Sequence, residues 1–186
     1  MKKKLIAITS VILGAGVLFA FGSKDSNVKN STVSAKSYGE KIQFTATDLN
    51  GKQITDEIFS KNKITMLNIW ATFCGPCINE MPDLAKLNKA NKSAGVEIVG
   101  VVIDITDGNG NLMPEQKKLA ESIISKTGAN YKHIVPSKEM MGGLLQNIMA
   151  VPTTIFVDSN GNQLDSPYLG SRTQKQWQQI IDSFLN

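Results

Sequence analysis

WATFCGPC, residues 70–77, holds both cysteines of a 186-residue chain, with only Gly75 and Pro76 between Cys74 and Cys77. A bridge across so short a loop removes almost no freedom from the unfolded chain, so a purely stapling role contributes little stability. The stretch before it, KITMLNIWA (63–71), is apolar and partly β-branched and predicts a buried strand. After it, Ile78, Met81, Leu84, Ala85 and Leu87 recur at helical spacing. Pro82 falls inside that pattern, where its missing N–H predicts a kink. The chain thus passes from strand to helix at the cysteines. Unsatisfied N–H groups and the positive end of the helix dipole favour an anion on Cys74, which makes it the expected nucleophile. Cys77 lies about one turn further in, shielded from solvent yet near enough to be the second sulfur of a disulfide; it is the expected resolving thiol.

The flanking sequence is that of an α/β domain. Alternation around Asn50-Gly51 predicts a hairpin in residues 41–55, and Thr55 is placed to cap a short helix containing Ile58 and Phe59. VEIVGVVIDI (96–105) predicts a second buried strand, GNGN (108–111) a loop, and residues 114–127 a helix opened by Pro114 and closed by Gly128. A short strand at 131–136 follows, then a short helix from Ser137 weakened by Gly142 and Gly143, and an antiparallel pair, 151–158 with 162–170, about Asn160-Gly161. The last helix, 173–185, puts Trp177, Ile180, Ile181 and Phe184 on one face. Strands that alternate with helices and end in a hairpin predict a mixed central sheet covered on both faces.

The amino end has a different character. Lys2, Lys3 and Lys4 precede a 17-residue apolar run, Leu5–Phe21, and then a polar stretch rich in Ser, Asn and Lys. Residues 1–22 read as an export signal or retained membrane anchor, 23–38 as a flexible polar tether and 39–186 as the folded domain. Ala20 and Gly22 have the spacing of a processing site, while the length of the run favours retention. The net charge of +4 belongs to this end: six of the twenty basic residues and one of the sixteen acids precede Gly39, leaving 14 basic against 15 acidic residues beyond it. Nothing in the folded part asks for nucleic acid or another polyanion.

WATFCGPC with Pro82, VPTT (151–154) and Gly170 resembles the thioredoxin fold, and the leader together with CINEMP (77–82) resembles its extracytoplasmic TlpA/ResA-like branch of thiol-disulfide oxidoreductases. The resemblance runs from Gly39 to Asn186. It implies a thioredoxin-like sheet carrying an N-terminal β-hairpin extension and an inserted strand-helix segment. It also implies a cis Val151-Pro152 bond beside the cysteines, with the Val151 backbone pairing to an extended substrate segment. Trp70, Phe73, Gly75 and Pro76 then join Val151 and Pro152 as substrate-contacting residues, Trp70 being either part of that apolar apron or a core aromatic. Where thioredoxins carry a buried aspartate this chain has Asn68, an amide that cannot act as a base. Glu80 matches the place where the branch carries a glutamate, and it is the expected acceptor of the Cys77 proton. Met140, Met141 and Met149 lie near Pro152 in sequence and either line a groove or fill gaps in the core.

These readings give dithiol–disulfide exchange at Cys74, Cys77 and Glu80, with the Cys74–Cys77 disulfide as the redox group and no further cofactor or metal. Gly75-Pro76 lacks the histidine that strong oxidants and isomerases place between their cysteines, which favours giving electrons away. The expectation is an extracytoplasmic, monomeric reductant of disulfides in exported proteins such as apocytochrome c. The resemblance implies that a membrane electron-transfer protein of the CcdA/DsbD type restores its thiols. A disulfide oxidase or isomerase on the same fold is the alternative in direction. A copper or zinc carrier is the alternative in class, although two thiolates are too few for a closed zinc site and His133, the only histidine, has no ligand spacing. A peroxidase on this fold would need Thr or Ser three residues before the reactive cysteine, where Ala71 stands.

Overall fold

In the computed structural model, which describes residues 41–186, the run leading into the cysteines is strand β3 (Ile64–Trp70), buried along its whole length. The other strands are β1 (Thr45–Asp48), β2 (Gln53–Thr55), β4 (Val96–Val102), β5 (Lys132–Val135), β6 (Thr153–Asp158) and β7 (Tyr168–Leu169). They form one mixed sheet in the order β2-β1-β5-β4-β3-β6-β7. β3 pairs parallel with β4 from Ile64↔Val96 to Trp70↔Val102, and antiparallel with β6 from Ile64↔Asp158 to Ile69↔Thr153. β4–β5 is parallel, and β1–β2, β1–β5 and β6–β7 are antiparallel. A strand paired on both sides and covered on both faces has no solvent-facing positions, which is why β3 shows no polar alternation.

The helices are α1 (Gly75–Asn91), α2 (Pro114–Thr127), α3 (Lys138–Gly142) and α4 (Gln174–Leu185). Period two divides the strand side chains between two cores. Ile64, Met66 and Trp70 of β3 meet Met81, Leu84 and Leu87 of α1, Ala120 of α2, and Trp177 and Ile181 of α4. Leu67 and Ile69 face the opposite way, toward Phe44, Ile54, Ile58, Phe59 and Met140. Asn68 shares the first face, an amide among apolar neighbours, and its reason lies in the site. The mixed α/β sheet with cover on both faces is therefore as the sequence predicts.

Local chemistry sets the boundaries. Thr55 caps residues 56–61 as expected, accepting the Glu57 N–H, but those residues wind as a 3-10 helix. Pro82 removes a single hydrogen bond and α1 runs on through it to Asn91. Three turns share one construction: Asp48, Asp107 and Asp158 each accept N–H groups from residues two and four ahead, at 2.8–2.9 Å. Gly51, Gly110 and Gly161 supply the left-handed position in each, at φ of +80°, +84° and +86°. The segment 108–111, read as a plain loop, belongs to the second of these turns, with Thr106 bridged to Leu112. The return strand expected over 162–170 is shorter than predicted. Only the Val157↔Gln163 bridge and β7 form, because Pro167 has no N–H to give and Asp165 draws Ser166 N–H and the Tyr168 hydroxyl to itself.

The signal or anchor read at 1–22 and the tether at 23–38 lie outside the described residues. Among the described residues no helix is long and apolar enough to cross a membrane.

Candidate active site

β3 ends at Trp70 and α1 begins at Gly75, so the four residues between them carry the turn. Asp104, just past β4, anchors it from outside the motif: the Thr72 N–H and hydroxyl both donate to its carboxylate. Cys74 N–H then donates to Ala71 C=O at 3.1 Å, and Cys74 takes the N-cap position of α1 at φ −85°, ψ 94°. Its sulfur accepts the Cys77 N–H at 3.2 Å, doing the work that Ser or Asp does at other helix starts. Pro76 sits in the first turn, where a missing N–H costs nothing.

Cys74 and Cys77 are joined as a disulfide with Cα atoms 5.3 Å apart, within the range such bonds span without backbone movement. Cys74 keeps 5% exposure and Cys77 none, so an incoming sulfur meets Cys74. Phe73 beside it is 77% exposed.

On the buried side of α1, one turn beyond Cys77, Glu80 is 4% exposed. Asn68 Nδ2 donates to its Oε1 at 3.0 Å and also to Thr154 Oγ1 at 3.3 Å. Its Oε2 accepts from Arg172 N–H at 3.1 Å and from Trp177 Nε1 at 3.2 Å. Burial pushes the Glu80 carboxyl above the usual carboxylate range, and these hydrogen bonds pull it part of the way back. The Tyr131 phenol is pushed up by its own burial and by the charge of Glu80. Asn68 Oδ1 and the Tyr131 hydroxyl are buried with no hydrogen-bond partner among the described residues.

The Val151-Pro152 bond is cis, as the resemblance implied. Pro152 C=O accepts Gly170 N–H at 2.8 Å, and Val151 packs against the core cluster that contains both cysteines. The fold thus brings Phe73, Cys74, Gly75, Pro76, Cys77, Glu80, Val151 and Pro152 to one end of the sheet. Trp70 is corrected: it is fully buried and offers no surface to a substrate. It shares strand parity with Asn68 and points into the helical core, where its Nε1–H donates to His133 Nδ1 at 3.3 Å. Of the three methionines, Met140 is core, Met141 is marginally exposed, and Met149, 90% exposed, lines a groove of about 440 Å³ with Leu144, Ile148, Thr153 and Leu169.

His133 is a core residue, stacked on Tyr131 at 4.7 Å with Nε2 at 3.0 Å from Ala129 C=O. Both ring nitrogens are occupied, which leaves none for a metal. Gly100 on β4 faces this ring so closely that a Cβ would collide with it. Gly100→Ala is therefore expected to lose about 2 kcal/mol in urea denaturation; an unchanged midpoint would mean the ring has room to move.

Sequence reading reached the cysteines, Glu80 and the Val151-Pro152 turn, but missed Asp104, Arg172 and Trp177 as parts of the site. The one local signal for the last two was Thr173 with Gln176, a capping box that fixes where α4 starts.

Residues 36–166 match the Redoxin family model. The chain is 28% identical over 185 residues to the thiol-disulfide oxidoreductase ResA of Halalkalibacterium halodurans, covering 100% of this chain and 92% of that one. It is 30% identical over 158 residues to the thioredoxin-like protein YneN of Bacillus subtilis, covering 81% and 85%. Among solved structures, a thioredoxin-family thiol:disulfide interchange protein from Chlorobium tepidum superposes with a TM-score of 0.65 at 23% identity, covering 82% of this chain and 99% of that one. With the disulfide at the head of α1 and the cis-proline turn beside it, the chain belongs to the Redoxin family, as a ResA-like thioredoxin-fold thiol-disulfide oxidoreductase.

Proposed function

We propose that this oxidoreductase works outside the cytoplasm as a reductant of disulfides in exported proteins, apocytochrome c among them, as a monomer and with the Cys74–Cys77 pair as its redox group. The observation that supports this reading best is the pairing of an N-capping Cys74, which keeps a sliver of exposure, with a wholly buried Cys77 that has a buried carboxylate one helical turn away. In the reduced protein the Cys74 thiolate attacks one sulfur of the substrate disulfide. The substrate S–S bond breaks, a mixed disulfide forms, and the departing sulfur takes up a proton. An extended substrate segment lies along Val151, whose backbone is engaged by no hydrogen bond among the described residues. Exposed Phe73, Met149 and Leu169 supply apolar contact around it. Cys77 then gives its proton to Glu80 and attacks the Cys74 sulfur, releasing the second substrate thiol. Two electrons have passed to the substrate, and the enzyme is left as the disulfide seen here.

Return to the dithiol is the same exchange in reverse, with a membrane electron-transfer protein of the CcdA/DsbD type as donor. Residues 1–22 export the domain and, if retained, hold it at the membrane. Equilibrating the full-length chain with dithiothreitol at pH 7 tests the direction of flow. A reduction potential at or below about −230 mV is expected; one between about −180 and −120 mV would make the protein an oxidase or isomerase instead.

A further inference from the structure

We propose that Trp177 and Arg172, at the start of α4, are positioning residues that hold the Glu80 carboxylate where it receives the Cys77 proton, a role that rests on the reading of Glu80 as proton acceptor. The two donors to Glu80 Oε2 come from one short piece of chain. Thr173 N-caps α4 and Gln176 bonds back to it, so the first helical turn is fixed and Arg172 N–H and the Trp177 indole converge on the same oxygen. The Arg172 guanidinium lies 4.8 Å from the Trp177 ring centre and 5.1 Å from that of Tyr168. Its Nη1 donates to Leu169 C=O at 3.2 Å and Gly170 C=O at 3.0 Å. Gly170 in turn donates to Pro152 C=O. One arginine thus ties the cis-proline turn to the indole that holds the carboxylate.

The chemistry needs this hold. A buried carboxylate with an unpaired oxygen is costly, and donors fixed in a low-dielectric site keep it both ionised and aimed. Burial pushes Glu80 up, and among the contacts that pull it back the Trp177 hydrogen bond is the strongest. The titratable and charged groups facing Glu80 are Cys77 on α1, Arg172 before α4 and Tyr131 before β5; β3 and β6 present Asn68 and Thr154, which do not titrate. Trp177→Phe keeps an aromatic ring in the core, though a smaller one, and deletes the N–H, whose loss favours the protonated carboxyl.

The test is the pH profile, from pH 5 to 8.5, of single-turnover reduction of a model peptide disulfide by the full-length, pre-reduced chain. Trp177→Phe is expected to lose roughly tenfold on the acid limb while the alkaline plateau stays within about twofold, since a hydrogen bond to a charged group is of that strength. Arg172→Gln, which removes the guanidinium but keeps the backbone N–H to Glu80, is expected to move the same limb by about threefold. In a Glu80→Gln background neither change should alter the profile further. A uniform loss at all pH values in Trp177→Phe, or an unmoved acid limb in both variants, overturns the positioning role. A wild-type profile in Glu80→Gln alone overturns the assignment of Glu80 instead.

Discussion

Reduced Cys77→Ser protein mixed with a substrate disulfide is expected to stop at a stable Cys74–substrate adduct, whereas Cys74→Ser forms no adduct and loses turnover on the order of a thousandfold or more. The asymmetry follows from the two positions. Cys74 caps α1 and keeps 5% exposure, with its sulfur facing a helix N-terminus, and Cys77 has no exposed atom with which to reach a substrate. Serine at 77 preserves the helix and leaves no thiol to release the substrate, so the adduct accumulates. Serine at 74 removes the one sulfur that a substrate can meet, and a hydroxyl is not ionised at neutral pH. Mass spectrometry of acid-quenched mixtures would show the adduct and its loss with added dithiothreitol. Adducts on Cys77 in the Cys74→Ser variant, or full turnover in either variant, would sink the division of roles.

How much of this was legible beforehand divides along sequence distance. β3, α1 and the cysteines between them are contiguous, so their hydrophobic periods and the strand-to-helix switch could be read directly. Glu80 sits three residues from Cys77 and was reached through the resemblance to the TlpA/ResA-like branch, helical spacing placing it on the face of Cys77. Its partners Arg172 and Trp177 lie 92 and 97 residues away, and no local pattern reports which core aromatic turns its N–H to a carboxylate. Asp104, 32 residues from Thr72, was hidden for the same reason. Trp70 was a different kind of miss. Strand parity alone places it on the face of Asn68, and an Asn68 directed at Glu80 commits Trp70 to the helical core. The 107–111 turn was also within reach, since Asp48 and Asp158 head the same pattern, but Gly108 gave it the look of a plain loop.

His133 carries the second large prediction. Trp70 Nε1–H is a donor only, so His133 Nδ1 must accept; Ala129 C=O is an acceptor only, so Nε2 must bear the proton. The ring is therefore held neutral, and a second proton on Nδ1 would confront the indole N–H inside the core. Burial pushes the imidazole down to about 4, while in the unfolded chain it titrates near the ordinary histidine value of about 6.5. Between those values the unfolded state binds the extra proton, so the folded state loses stability as pH falls. The contribution is complete above about pH 6.5 and gone by about pH 4, roughly 3 kcal/mol in all. Glu80 acts in the opposite sense, because a carboxyl raised by folding takes its proton first in the folded state. Comparison with His133→Gln separates the two. The stability advantage of wild type, measured by urea titration, should hold constant above pH 6.5 and shrink steadily toward pH 4. As the chain has one histidine, its imidazole resonances are unambiguous. Folded-state resonances that titrate near pH 6.5 would mean the ring is not clamped between Trp70 and Ala129, and the strand that delivers Cys74 would then rest on a looser base than the structure shows.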